Sequence, residues 1–175
     1  MQLNYETDFN KCINVKSKFI IVDTSDPNHF ENFVDKDKIH SIFDHHFGHE
    51  SYWQEKLGAM SRIETVGACA TLIVEEFISE NISISQLSKS VRVLLLAAIV
   101  SNTLNFRSKL TTGRDRSAFL QLLNFTKLPD SWISDYYAEI DAQLQKDIAS
   151  TLRNDTKEVN IEEQLYVIGQ LEVWD

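Results

Sequence analysis

Residues 39–47 read Ile-His-Ser-Ile-Phe-Asp-His-His-Phe (IHSIFDHHF), a short apolar run that stops on an acid and two consecutive histidines. Ile39–Phe43 has the length and branching of a strand buried on both faces. Upstream the pattern repeats: Phe19–Val22 (FIIV) ends at Asp23 and gives way to TSDPN, a run of turn formers. Two such runs predict parallel strands whose C-terminal ends share one edge, where open α/β sheets hold their ligands. A lone aspartate after a strand is most often a turn former. Two adjacent imidazoles are harder to dismiss, because burying them without a ligand or a hydrogen bond is costly.

Working outward, VGACATLIVEEFISEN predicts a helix from about Gly67 to Glu80 whose first turn is made of small residues. SKSVRVLLLAAIV, from Ser88, is apolar almost all round and predicts a buried helix that breaks near Asn102. TTGRDRSAFLQLLNF predicts a helix to about Phe125, with Thr112 as N-cap and Asp115 in the first turn. After KLPDS, Ser131 is expected to cap a longer helix with Ile133, Tyr136, Tyr137, Ile140, Leu144 and Ile148 on one face. From Lys157 the chain alternates as two strands joined by a polar turn. The fold class is therefore α/β, a mainly parallel sheet with helices on both faces, followed by a partial α+β domain. The expected division is 1–127 for the sheet domain, 128–152 for a connecting helix and 153–175 for the start of a second domain.

Composition narrows the function. The chain has 175 residues, 43% of them hydrophobic, and a formal net charge of -9. That charge argues against nucleic acid as a partner, because phosphate backbones are bound by clustered Lys and Arg. Cys12 and Cys69 are far apart and lack C-x-x-C spacing, so free thiols are expected. MQLNYETDF has no signal-peptide character. The longest apolar run, Val93–Val100, is far short of the roughly 20 residues that span a bilayer. No membrane association and a cytoplasmic location are expected.

Asp23, Asp44, His45, His46 and Asn102 all fall at or just beyond the end of an apolar element. Carboxylate with imidazole suits a borderline divalent ion such as Mn²⁺, Co²⁺, Fe²⁺ or Zn²⁺. Neighbouring histidines at a strand end point in different directions, so one can hold metal while the other faces substrate. For Asn102 the plain alternative is a helix C-cap. For His29, His40 and His49 the default is a solvated side chain.

Five segments in order carry a resemblance: FIIVD at 19–23, IFDHH at 42–46, VGACATLIVEEF from Val66, AAIVSNTLNFRSKLTT from Ala97 and NDTKEVNIEEQLYVIGQLEVWD from Asn154. Together they resemble the DHH phosphoesterase superfamily, and within it the family II, manganese-dependent inorganic pyrophosphatases and their exopolyphosphatase relatives. The resemblance implies that Asp23 bridges metal ions and His45 binds metal. It implies that His46 contacts phosphate and donates a proton, that Asp44 orients its neighbours, and that Lys157 reaches the substrate. It implies a divalent cofactor, Mn²⁺ first with Co²⁺ or Mg²⁺ as alternatives, and pyrophosphate or another small phosphoanhydride as substrate. A homodimer is a candidate assembly.

Two metal ions can generate hydroxide and clamp phosphoryl oxygens, and a nearby cation completes the charge stabilisation. The sequence departs from the family pattern at three places. Nothing in residues 1–22 resembles the His-x-x-x-Asp-x-Asp motif, Asn102 stands where the family carries a metal-binding aspartate, and the basic motif of the C-terminal domain is not found before Asp175. The expectation is a fragment or a degenerate form that alone hydrolyses pyrophosphate poorly or not at all. The competing expectations are an exopolyphosphatase or DHH phosphodiesterase, and a non-catalytic module kept for binding or oligomerisation.

Overall fold

The structure is a computed structural model and describes residues 14, 16–154, 156–162 and 164–169. Cys12 lies outside the described residues. The chain divides into two compact units, residues 1–127 and 128–175.

In the first unit, β1 (Phe19–Val22), β2 (Ile39–Asp44) and β3 (Ser61–Ile63) form a parallel sheet in the order β1-β2-β3. The central strand β2 is buried at five of its six positions, which is why it reads as a nearly unbroken apolar run. Its alternation feeds two cores. Ile42 packs with Ile39 and Trp53 of helix α1 (Glu50–Leu57), whereas Phe43 packs with Val66, Cys69 and Leu72 of helix α2 (Cys69–Ser79). The Trp53 indole N–H donates to the Ser25 carbonyl at 2.7 Å, so the buried ring also anchors the turn after β1.

The strand β1 departs from the expectation of burial on both faces. Phe19 and Ile21 join the Trp53 core, but Ile20 and Val22 are 62% and 50% exposed. Val22 registers with Phe43, so the two share a face, and α2 packs on β2 there while Val22 stays half exposed. Apolar content reports what a strand can bury; the reach of the neighbouring helix decides what it does bury.

Helix α3 (Lys89–Asn102) and helix α4 (Gly113–Leu123) pack on α2 and on each other. Ser88 caps α3, its hydroxyl accepting from the Val91 N–H. The expectation that α3 is buried all round fails on one side: Leu96, Ile99 and Val100 are buried, while Leu94 is 69% exposed. Past Asn102 the chain turns through three successive left-handed residues, Leu104, Asn105 and Phe106, at φ of 49°, 49° and 65°. The turn is held because the Asn105 N–H donates to the Val100 carbonyl and the Phe106 N–H to the Thr103 hydroxyl.

In the second unit two helices, α5 (Trp132–Lys146) and α6 (Ile148–Asn154), replace the single connecting helix expected, with the break at Asp147. Ser131 does not cap α5 through its side chain; its hydroxyl bonds the Asp135 carboxylate instead. Of the expected apolar face Tyr137 is buried and Ile148 is 52% exposed. The strands β4 (Thr156–Ile161) and β5 (Gln164–Gly169) form the antiparallel hairpin read from the sequence, turning at Glu162. No helix among the described residues is long and apolar enough to cross a membrane.

Candidate metal centre

The parallel order brings the ends of β1 and β2 side by side. Asp23 leaves β1 with φ at 62°, a left-handed conformation that aspartate tolerates better than most residues. Its N–H still donates to the Phe43 carbonyl at 2.9 Å, which keeps it in line with the end of β2. From there its carboxylate comes within 3.2 Å of His45 Nε2. Asp23, His45 and His46 each present a ligand atom within 4.8 Å of the others.

Asp44 is fully buried beneath the two histidines. Its Oδ1 accepts from the His45 N–H at 2.8 Å, the His46 N–H at 3.2 Å and His46 Nδ1 at 2.8 Å. Burial raises the pKa of this carboxyl, but the Ser25 hydroxyl and the His46 ring and N–H outweigh it, so Asp44 sits below the usual carboxylate value. The ionised acid thus fixes the His46 ring by Nδ1 and leaves Nε2 to the exposed side; the His46 side chain is 61% exposed.

His45 is oriented the other way. Its Nδ1 meets the Val66 carbonyl at 3.1 Å, which requires an Nδ1–H and leaves Nε2 bare in the neutral ring. Nε2 is buried and has no hydrogen-bond partner. The Asp23 oxygen, 3.2 Å away, is close enough for an ion pair once the ring is protonated. The Asp23 carboxylate, opposed by burial and helped by the Val66 carbonyl, holds the imidazole above its usual pKa. A bare, buried nitrogen beside a carboxylate is the arrangement a divalent cation fits. The same donor set, two imidazoles and a carboxylate, suits Mn²⁺, Co²⁺ or Zn²⁺. The rings of His45 and His46 meet edge to face, their centroids 4.5 Å apart.

Cys69 is buried behind the site and donates to the Phe43 carbonyl at 3.0 Å. Burial pushes its thiol up to about 12. Asn102 ends α3, is exposed, and its amide N–H donates to the Ala98 carbonyl within the same helix at 3.1 Å. Lys157 lies in β4 of the second unit, and its side chain lies outside the described part of the structure. His29 and His49 flank Asp26 at 3.9 and 3.7 Å in a solvated turn.

Asp115 carries more than the helix-cap role read from the sequence. It is fully buried and accepts from the Gly67 N–H (2.9 Å), the Ala68 N–H (3.2 Å), the Thr71 hydroxyl (2.7 Å), and the N–H and hydroxyl of Thr112 (2.7 and 2.8 Å). Thr112 and Asp115 were legible as a helix start. The small residues of VGACAT were the other half of the signal, because Gly67 and Ala68 are where the carboxylate closes in.

No family model matches the chain. Its sequence is 26% identical over 166 residues to a protein of Thermotoga maritima named "probable manganese-dependent inorganic pyrophosphatase", covering 90% of this chain and 28% of that protein. Proteins of the same name from Listeria monocytogenes and Listeria welshimeri are 27% and 28% identical over 165 residues, covering 93% of this chain and 51% of theirs. A crystal structure from Methanococcus jannaschii, described as a "putative family II inorganic pyrophosphatase", superposes with a TM-score of 0.67 at 23% identity, over 91% of this chain and 54% of that one. The chain spans about half the length of the Listeria relatives. It resembles the family II, manganese-dependent inorganic pyrophosphatases along most of its own length, and its α/β fold is theirs.

Proposed function

We propose that this chain, a relative of the manganese-dependent inorganic pyrophosphatases, holds a divalent cation, Mn²⁺ first, for hydrolysis of a phosphoanhydride such as pyrophosphate. The observation that carries this reading is the bare, buried His45 Nε2 set beside the Asp23 carboxylate, with His46 completing the cluster. A bound divalent cation supplies charge neutralisation for the phosphoryl oxygens and lowers the pKa of water. The residues of the chain do the rest. Asp23 and His45 would hold the cation, and Asn102 would offer a carbonyl oxygen in place of a charged ligand. His46, gripped at Nδ1 by Asp44, keeps its ring exposed and, as the imidazolium, can pass the Nε2 proton to a leaving oxygen.

Calorimetry with Mn²⁺ on the chain freed of metal tests the site. Binding that is abolished in His45→Ala is the expected result; no binding, or binding indifferent to His45→Ala, overturns the reading. Phosphate release from pyrophosphate is expected to be slow, because Asn102 brings no charge. Asn102→Asp should tighten Mn²⁺ binding about tenfold, the scale of one ligand's support. A second reading, a module that binds without turnover, is favoured by the Asn102 amide bonded back to its own helix. It gains ground if Mn²⁺ binds normally while neither the chain nor Asn102→Asp releases phosphate.

A further inference from the structure

The buried Asp115 touches none of the three clustered ligands, yet one peptide unit connects it to them. The Gly67 N–H that donates to Asp115 Oδ2 at 2.9 Å and the Val66 carbonyl that meets His45 Nδ1 at 3.1 Å belong to the same amide. In a trans amide the N–H and C=O point in opposite directions along a rigid plane. A carboxylate drawing on the N–H therefore fixes where the carbonyl on the far side points. It also polarises the amide and makes that carbonyl a stronger acceptor. The neighbouring Ala68 N–H, at 3.2 Å, and the Thr71 hydroxyl, at 2.7 Å, bind the other carboxylate oxygen, so the carboxylate cannot swing away.

Gly67 is closely surrounded. A Cβ added to Gly67 would lie 2.7 Å from Thr103 Cγ2, 3.0 Å from Asp115 Oδ2 and 3.2 Å from the Thr111 Cα, the last of these backbone. Only glycine lets this peptide pass between α3 and α4. Asp115 in turn is held through Thr112 at the start of α4. Its carboxyl would be raised by burial, but the Thr71 hydroxyl, the N–H groups of Thr112 and Gly67 and the Thr112 hydroxyl together hold it below the usual value.

We infer that Asp115 is a positioning residue for His45: through the Val66–Gly67 peptide it holds the ring with Nδ1 protonated and Nε2 bare toward Asp23. The usual carboxylate partner of a metal-binding histidine is here placed one amide away. This inference rests on the proposed role of His45, but its readout does not require metal.

The test is long-range ¹H–¹⁵N NMR of the His45 ring nitrogens in the metal-free chain, with the pH raised until their signals stop moving and the imidazole is neutral. The wild type is expected to show Nδ1–H with a bare Nε2. In Asp115→Asn, one carboxylate oxygen becomes an NH₂ that faces N–H donors, so the His45 nitrogens should move toward a mixture of the two tautomers. The His46 nitrogens, held by Asp44, should stay where they are. Ala118→Gly, a cavity and flexibility change one turn further along α4, is the control for simple loosening of the helix. An unchanged His45 tautomer in folded Asp115→Asn, or an equal change in Ala118→Gly, overturns the inference. If Asp115→Asn does not fold, Gly67→Ala carries the test, because it displaces the same amide: a shifted His45 Nδ1 supports the inference and an unshifted one overturns it. Failure of the wild type to bind Mn²⁺ would remove the metal reading and leave the tautomer result intact.

Discussion

Two fully buried carboxylates stand behind the same cluster of side chains, and they hold it from different sides. Asp44 acts locally: three of its contacts are to His45 and His46, its immediate successors in sequence, two through their backbone N–H groups and one through the His46 ring. Asp115 acts at a distance: besides the hydroxyls of Thr71 and Thr112 its donors include the N–H groups of Gly67 and Ala68, 48 and 47 residues away. Neither is neutralised by a lysine or arginine among these contacts. The α4 arginine beside Asp115, Arg114, turns instead to Glu75 and Glu64, where it meets Arg62 in a surface network. Asp115 is stabilised by several N–H and O–H dipoles, and Asp44 by N–H dipoles together with the His46 ring, its ion-pair partner. The difference suggests a division of labour: the local acid sets what the ligands present, and the distant one sets where the wall behind them stands.

The largest expected effect breaks the distant wall. Asp115→Ala leaves the Gly67 and Ala68 N–H groups and the Thr71 hydroxyl buried without an acceptor, at ~1–3 kcal/mol for each such group. Losses of this kind are not additive, and the total expected is about 3–5 kcal/mol. Urea unfolding followed by the buried Trp53 indole proton measures it. A loss below ~1 kcal/mol would mean that water or backbone movement satisfies these donors and that the wall is soft.

Asp44→Asn should separate the two acids. The carboxamide oxygen can still accept from the N–H groups of His45 and His46, so the expected loss of stability is smaller, ~1–3 kcal/mol. His46 loses its charged partner, and Mn²⁺ affinity should fall by 10- to 100-fold, roughly the range for a residue that orients a ligand. Parallel calorimetry and unfolding would show binding hit harder than stability. If stability falls by as much as in Asp115→Ala, the two carboxylates are structurally equivalent and the division of labour is wrong.

Most of this was readable along the chain where the contacts are local. The end of β2 announces itself because strand, acid and histidines are contiguous, and the Thr112 and Asp115 helix start because its members lie three residues apart. The tie from Asp115 to Gly67 was not readable, because it exists only once α2 and α4 have packed. The open side of β1 was missed for a related reason. FIIV specifies an apolar strand but carries no information on how far α2 extends over it. Asn102 was legible as a chemical departure, and only the structure shows its amide turned back onto Ala98.

A smaller effect comes from acid. Asp115 has a folded pKa below its unfolded value. Its contribution to stability is therefore complete above about pH 4, the ordinary value for an unfolded aspartate, and is lost as the pH falls through the lower folded value. Asp44, Glu64 and Glu75 are shifted the same way and share the acid limb. Unfolding free energy measured downward from about pH 5 should fall in the wild type and fall less steeply in Asp115→Asn. Parallel curves would mean that Asp115 binds its proton equally in both states.

The smallest effect probes the turn that supports the distant wall. Thr103, against which Gly67 is seated, opens the left-handed run Leu104–Phe106 that carries the chain from α3 toward α4. In that conformation a Cβ crowds the following carbonyl, at ~1–2 kcal/mol for an ordinary residue, and asparagine is among the side chains that bear it best. Asn105→Ala should cost about 1 kcal/mol, whereas Asn105→Gly should be nearly neutral, because relief of strain offsets the greater freedom of the unfolded glycine. Both changes should leave the His46 ring signals untouched, since Asp44 holds them independently, and any movement should be confined to His45. A shift of His46 with His45 would show that the turn after α3 reaches both acids, and the two walls would then be one.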